Sequence, residues 1–153
     1  MKLILVAAIA LMAFVPVAEA QTRRGAWRYD EASQSASVWF RKPGGSLKVA
    51  CVDRRIKVVV RRTEPLGVGE TSARPVFLTI DDVQFPPFVW RNEGNNATLT
   101  AQDPVEELVE GLQSGRRAKL SLTDREGRQT HHEVSLAGSM RAIGKVLDGC
   151  PAA

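Results

Sequence analysis

Two runs of strict alternation meet near the middle of this chain, and that pattern dictates antiparallel β-structure. Leu47, Val49 and Cys51 share one face of the first run. Ile56, Val58 and Val60 share a face of the second, with Lys57 and Arg61 on the opposite side. Successive side chains of a strand point to opposite faces, so each run reads as a strand with one buried face. Only Asp53-Arg54 lies between them, which predicts a tight hairpin connection without the preferred Asn-Gly chemistry.

The same reading extends along the chain. Ser37 to Arg41 is a short aromatic run with Val38 and Phe40 on one face and Trp39 on the other, followed by a turn at Pro43-Gly44-Gly45. Residues 64–75 hold two prolines and two glycines and read as a loop. Val76 to Ile80 is a strand stopped by Asp81-Asp82, and Phe85-Pro86-Pro87-Phe88 is a bend or an edge, because proline removes ladder donors. Phe88 to Trp90 and Ala97 to Thr100 flank a hairpin loop at Glu93-Gly94-Asn95-Asn96. Ala118, Leu120 and Leu122 alternate with polar residues, as do His132, Val134 and Leu136, with a turn across residues 124–128 between them.

Two segments carry helical signals. Asp103, Pro104 and Glu106 form a helix start with a capping box, and Val105, Leu108, Val109 and Leu112 fall on one stripe. Ser139 starts a second helix, with Met140, Ile143 and Leu147 expected on its buried side. The pattern predicts seven to nine short strands, no βαβ alternation, and two helices near the C-terminus. The expected fold is mainly β, an antiparallel β-sandwich or curled sheet with helical additions.

The N-terminus predicts export. Lys2 precedes an uncharged apolar run of 13 residues, Leu3 to Val15; Pro16 breaks it, and Ala18-Glu19-Ala20 supplies a small-x-small cleavage pattern. Residues 1–20 therefore read as a secretory signal peptide, and residues 21–153 as a single β-rich domain in the periplasm or secreted. No span is expected in the mature chain, since a transmembrane helix needs about 20 apolar residues. Cys51 and Cys150 are the only cysteines. In an oxidising compartment an even pair reads first as a disulfide, here closing a loop of about 100 residues worth on the order of 4–5 kcal/mol in the chain-entropy model. Two free thiols are the alternative, but no Cys-x-x-Cys pair or adjoining His activates either one.

Catalytic patterns are thin. His131 and Glu133 share a strand face but His132 points away, and with no other His in the chain a zinc site lacks ligands. Asp81-Asp82 reads as a strand-ending turn, and Glu106-Glu107 as charge at a helix N-terminus. No Gly-x-Ser-x-Gly elbow occurs. No catalytic residue, metal or cofactor is expected. The net charge of +4 is modest, yet much of the basic charge comes in doublets: Arg23-Arg24, Arg41-Lys42, Arg54-Arg55, Arg61-Arg62 and Arg116-Arg117. Arg forks suit phosphates and carboxylates. Arg54, Arg55, Arg61 and Arg62, with Trp90 as an aromatic contact, are the candidate binding residues. Export removes the chain from cytoplasmic nucleic acid.

Trp27, the central strand carrying Cys51, and the ending Val134-Ser135-Leu136-Ala137-Gly138-Ser139-Met140-Arg141-Ala142, then Leu147 and Cys150, resemble small bacterial periplasmic proteins of the invasion-associated locus B type and periplasmic accessory proteins of type VI secretion. The closely placed early Cys pair usual in the locus B pattern is absent. The resemblance implies a β-sandwich that ends in a strand, a Leu-x-Gly turn, a short helix and a terminal Cys. It implies a non-catalytic envelope role and assigns no functional residue. The expected function is a non-enzymatic binding or accessory protein that recognises an envelope protein or an anionic envelope component. The alternatives are a structural subunit of an envelope or secretion machine, and a cell-wall or ester hydrolase.

Overall fold

The computed structural model describes residues 26–41, 44–66, 71–100 and 102–151. The expected signal peptide, the Arg23-Arg24 doublet and Lys42 lie outside these residues. Twelve elements follow in chain order. The first four are β1 (Arg28–Asp30), β2 (Ser35–Phe40), β3 (Gly45–Val52) and β4 (Arg55–Arg62). Then come β5 (Thr71–Ile80), β6 (Val83–Gln84), β7 (Phe88–Glu93) and β8 (Asn96–Leu99). The chain ends with α1 (Gln102–Ser114), β9 (Arg117–Thr123), β10 (Gln129–Ser135) and α2 (Ser139–Gly149).

The strands form one curled antiparallel sheet in the order β1-β2-β3-β4-β8-β7-β5-β9-β10, with β6 paired to β5. Of the two predicted architectures, the curled sheet is the one formed. The β3–β4 hairpin closes as the alternation requires: Val52 pairs with Arg55, and Asp53 and Arg54 both take left-handed backbone angles, φ 53° and 61°. That is the signature of a mirror-image turn whose twist matches the strands it joins. The β7–β8 hairpin turns through Gly94, φ 53°, with Glu93 paired to Asn96.

Strand β5 departs from the sequence reading. It begins at Thr71, inside the expected loop, and runs through Pro75. Its first half pairs with β7 as far as Val76, and its second half with β9 from Phe77. Pro75 stands where one partner gives way to the other, a position that tolerates a residue without an N–H. The short strands β1 and β6 also escaped the periodicity, each being too brief to show it.

The curl brings β10, at one end of the strand order, against β2 from the other end. Trp27 N–H, just before β1, donates to the carbonyl of Ala137, just after β10, at 3.2 Å. The Phe40 ring lies 4.4 Å from the His132 ring, and the Arg62 guanidinium donates to Thr130 Oγ1 at 2.6 Å. Gly45 makes this seam possible, because a Cβ there would collide with the Phe40 ring and the Arg61 carbonyl oxygen.

The inner face of the sheet is apolar, including Val38, Leu47, Val49, Val58, Val60, Leu78, Trp90, Leu99 and Leu120. The helices cover it: α2 packs on β1, β2 and β3, and α1 packs on α2 and β4. The predicted stripe of α1 is buried at Val105, Leu108, Val109 and Leu112. Only α2 lies near the C-terminus; α1 precedes the β9–β10 hairpin. The buried side of α2 is Ser139, Ala142, Ile143 and Val146, whereas Met140 and Leu147 are exposed. Ile143 is buried as expected, but the buried stripe is otherwise shifted to the residues that pack on β1, β2, β3 and α1, between the left-handed Gly138 at one end and the Cys51–Cys150 disulfide at the other. The bridge spans 99 residues, with a Cα–Cα distance of 5.6 Å, and ties the end of α2 to β3. Among the described residues, no helix is long and apolar enough to cross a membrane.

Candidate functional site: a polar trough on the outer face of the sheet

The sheet face turned away from the helices carries a broad open trough of about 1010 Å³. Its geometry follows from register. One row of directly opposed residues runs Trp39, Ser46, Arg61, Asn96, Glu93 across β2, β3, β4, β8 and β7. The next row, two residues along each strand, runs Ser37, Lys48, Val59, Thr98, Arg91. A third contributes Ser35, Ala50 and Lys57. These are the outward-facing members, mostly polar, of the same alternation that buries Val38, Leu47, Val58 and Val60 on the other face.

Small residues on β2 and β3 form the floor. Ser35, Ser46 and Ala50 are each at most 5% exposed although they face away from the core. Ser46 lies between the Trp39 indole and the Arg61 side chain, so the row has a bay where its neighbours stand up. Trp39 is 66% exposed, the largest uncovered aromatic surface among the described residues. The Ser37 and Ser46 hydroxyls carry no hydrogen bond among the described residues.

The electrostatics are unbalanced. Among the described residues, Lys48, Arg61 and Arg91 have no carboxylate within ion-pair distance. Lys57 pairs with Asp53 at 3.7 Å. The two acidic lining residues sit at opposite margins of the sheet segment, Asp30 beyond β2 and Glu93 on β7. Asp30 accepts a hydrogen bond from the Ser33 hydroxyl at 2.7 Å and another from Ala32 N–H. The Ser33 bond, more than the distant Lys48 charge, holds its carboxyl below the usual range.

The candidate binding residues read from the sequence disperse. Arg61 lines the trough. Arg55 shares its sheet face by alternation but lies at the hairpin end beyond the lining residues, and Arg54 occupies the turn itself. Arg62 and Trp90 are corrections: both point inward, 2% and 0% exposed, and neither is available to a surface ligand. The doublets misled because adjacent strand residues face opposite ways. Arg116 and Arg117 instead donate backbone N–H groups to the Asp81 carboxylate, and the Arg117 side chain pairs with Glu133 at 3.4 Å. Lys48 and Arg91, which join Arg61 in the trough, are isolated in sequence. Their signal was the polar phase of the alternation, and only the register shows that they share a site.

The buried Arg62 side chain donates to Thr130 and reaches Glu64 at 3.3 Å, leaving its Nε without a partner. His132, 4% exposed, has no hydrogen bond at either ring nitrogen. Burial, and secondarily the Arg62 charge and His131, push its pKa down to about 4, so the ring is neutral near pH 7.

A smaller depression of about 360 Å³ lies on the outer face of β5, β9 and β10. There His131 and Ser121, direct cross-strand partners, meet with Nδ1 2.7 Å from Oγ. Glu133 on the same face is engaged by Arg117, so no carboxylate orients the imidazole. Among the described residues, no group of three or more His, Cys, Asp or Glu is arranged to hold a metal ion.

No protein-family model and no curated protein matches the chain. Among solved structures it is similar to invasion-associated protein B from Bartonella henselae, at 15% identity over 76% of this chain and 93% of that one. The TM-score is 0.39, a level at which the likeness bears on neither site nor function.

Proposed function

We propose that this is an exported, non-catalytic binding protein that captures an anionic component of the cell envelope in the trough. The observation that carries this reading is the presence of Lys48, Arg61 and Arg91 on one sheet face with no ion-pair partner among the described residues. Cations that no carboxylate holds in a direct ion pair keep much of their field for a ligand. Periplasmic or secreted location rests on the signal-like residues 1–20. The test is titration of the mature chain with purified lipopolysaccharide at low and high salt. Binding is expected at low salt, weakening as salt rises. A triple variant, Lys48→Glu, Arg61→Glu and Arg91→Glu, is expected to lose it, while Arg54→Glu with Arg55→Glu retains it. Equal binding by the triple variant would sink the proposal.

One contact supports a second reading, hydrolysis. The Ser121–His131 pair has the spacing of a nucleophile and its base. It lacks an orienting acid, and both partners lie open on a sheet face, where water competes for every hydrogen bond. Release of p-nitrophenol from an activated acetate ester, lost in Ser121→Ala, would favour this reading over the first.

A further inference from the structure

We infer that the trough takes an acidic glycan: a sugar chain bearing carboxylates, laid across the strands with one ring against Trp39. This rests on the proposal that the trough binds an anionic envelope component, and it names the chemistry of that component. Three features converge on it. The first is Trp39, a flat apolar surface 66% exposed at one end of a polar trough. The apolar face of a sugar ring covers such an indole, while a phosphate or a simple carboxylate gains nothing from it.

The second is the floor beside Trp39. Ser46 is 4% exposed, lines the trough, and has no hydrogen bond to its hydroxyl among the described residues. Ser37, half-buried and one register row away, also lines the trough, and Asn96 and Thr98 continue the polar lining. A surface that met only charge would need no such hydroxyl floor. Ligand hydroxyls satisfy these groups, and a lipid chain would leave them unpaired. The third is the placement of the cations. Lys48 on β3 and Arg91 on β7 are three strand steps apart, about 14 Å at ordinary strand spacing. Arg61 stands on β4 between them, in the row that starts at Trp39. Charges spread this way fit acidic groups repeated along an extended chain better than one compact anion. The bay over Ser46, between Trp39 and Arg61, places a stacked ring so that its carboxylate meets a guanidinium fork.

The experiment is calorimetric titration of the mature chain with oligogalacturonate, with the same oligomer fully methyl-esterified, and with polyglutamate of matched charge. The glycan assignment expects oligogalacturonate to bind about tenfold or more tighter than polyglutamate. The esterified oligomer should bind weakly. Trp39→Ala should raise Kd roughly fivefold or more, and Trp39→Phe should restore most of the affinity. Because Trp39 is exposed, the variant is expected to fold, and circular dichroism checks that it does. If polyglutamate binds as well as the sugar and Trp39→Ala changes nothing, the glycan assignment is wrong while the cationic trough stands. If neither anion binds, or if reversing Lys48, Arg61 and Arg91 leaves affinity unchanged, both fall together.

Discussion

The two faces of strands β2, β3, β4, β8 and β7 handle the same residue type in opposite ways, and Arg61 and Arg62 show it within one peptide bond. Arg61 stands in solvent with no carboxylate beside it among the described residues. Arg62 is sealed under the sheet, where Thr130 and Glu64 take donors from its two terminal nitrogens while Nε stays unpartnered. A buried cation must be matched on the spot, because its desolvation is costly. An exposed one is left unmatched at little cost to the fold, and its charge remains for a partner. The inner face thus carries stability, and the outer face is where we propose that recognition occurs. Substitutions on one should leave the property of the other largely untouched.

The largest effect is expected from the link that holds α2 over the inner face. Replacing Cys51 and Cys150 by Ser opens a 99-residue loop and should cost about 4–5 kcal/mol, read from urea unfolding. A loss below about 1 kcal/mol would mean that the helix holds its place without the bridge. Next, Leu47→Ala removes a fully buried inner-face side chain and should cost about 3 kcal/mol, whereas its neighbour Lys48→Ala should not.

His132 sharpens the contrast through pH. Its native pKa lies at about 4, below the ordinary 6.5, because burial disfavours the imidazolium and Arg62 repels it. The unfolded chain takes up a proton below pH 6.5 that the native fold refuses until about pH 4. The His132 contribution to stability should therefore fall as pH drops across that window, by up to on the order of 3 kcal/mol, and stay constant below it. Phe40 from β2 packs on the ring and Arg62 from β4 acts on it, His131 contributes only through its charge from the opposite face, and no acid is among the groups that shift it. His132→Phe should flatten the curve between pH 6.5 and 4, and an unchanged slope would place its origin elsewhere. The smallest effect belongs to the trough: Lys48→Ala and Arg91→Ala should each shift stability by no more than about 0.5 kcal/mol. A larger loss would show that these side chains support the fold and would weaken their assignment to a ligand.

Much of the fold was legible in the chain. The alternation about Asp53-Arg54 foretold the central hairpin, the stripe of α1 foretold its buried side, and the two cysteines foretold their bridge. Only the second half of β5 was legible, as the strand from Val76 to Ile80; its first half was not, since Pro75 reads locally as a loop and is tolerated near the point where the strand changes partners. The exposed Met140 and Leu147 on α2 were not legible either, because which side of the helix is buried depends on its packing against β1, β2, β3 and α1. The candidate site was half visible. Trp39 was placed opposite Val38 and Phe40 from alternation alone, and the polar phase of β3 and β4 was plain. The doublets drew attention to charges that adjacent positions divide between two faces.

By itself, then, the sequence determined the local matters: which residues alternate, where the chain turns, which stripe of α1 is apolar, and which residues are basic. Those follow from backbone geometry and hydrophobic period, which act over a few residues. Only the tertiary structure decided that Trp39, Ser46 and Arg61 form one row, that Lys48 and Arg91 share a trough, and that Arg62 is buried against β10. Those depend on strand order, register and the curl of the sheet. Each of these is set by contacts between segments far apart in the chain, and no window of the sequence contains them.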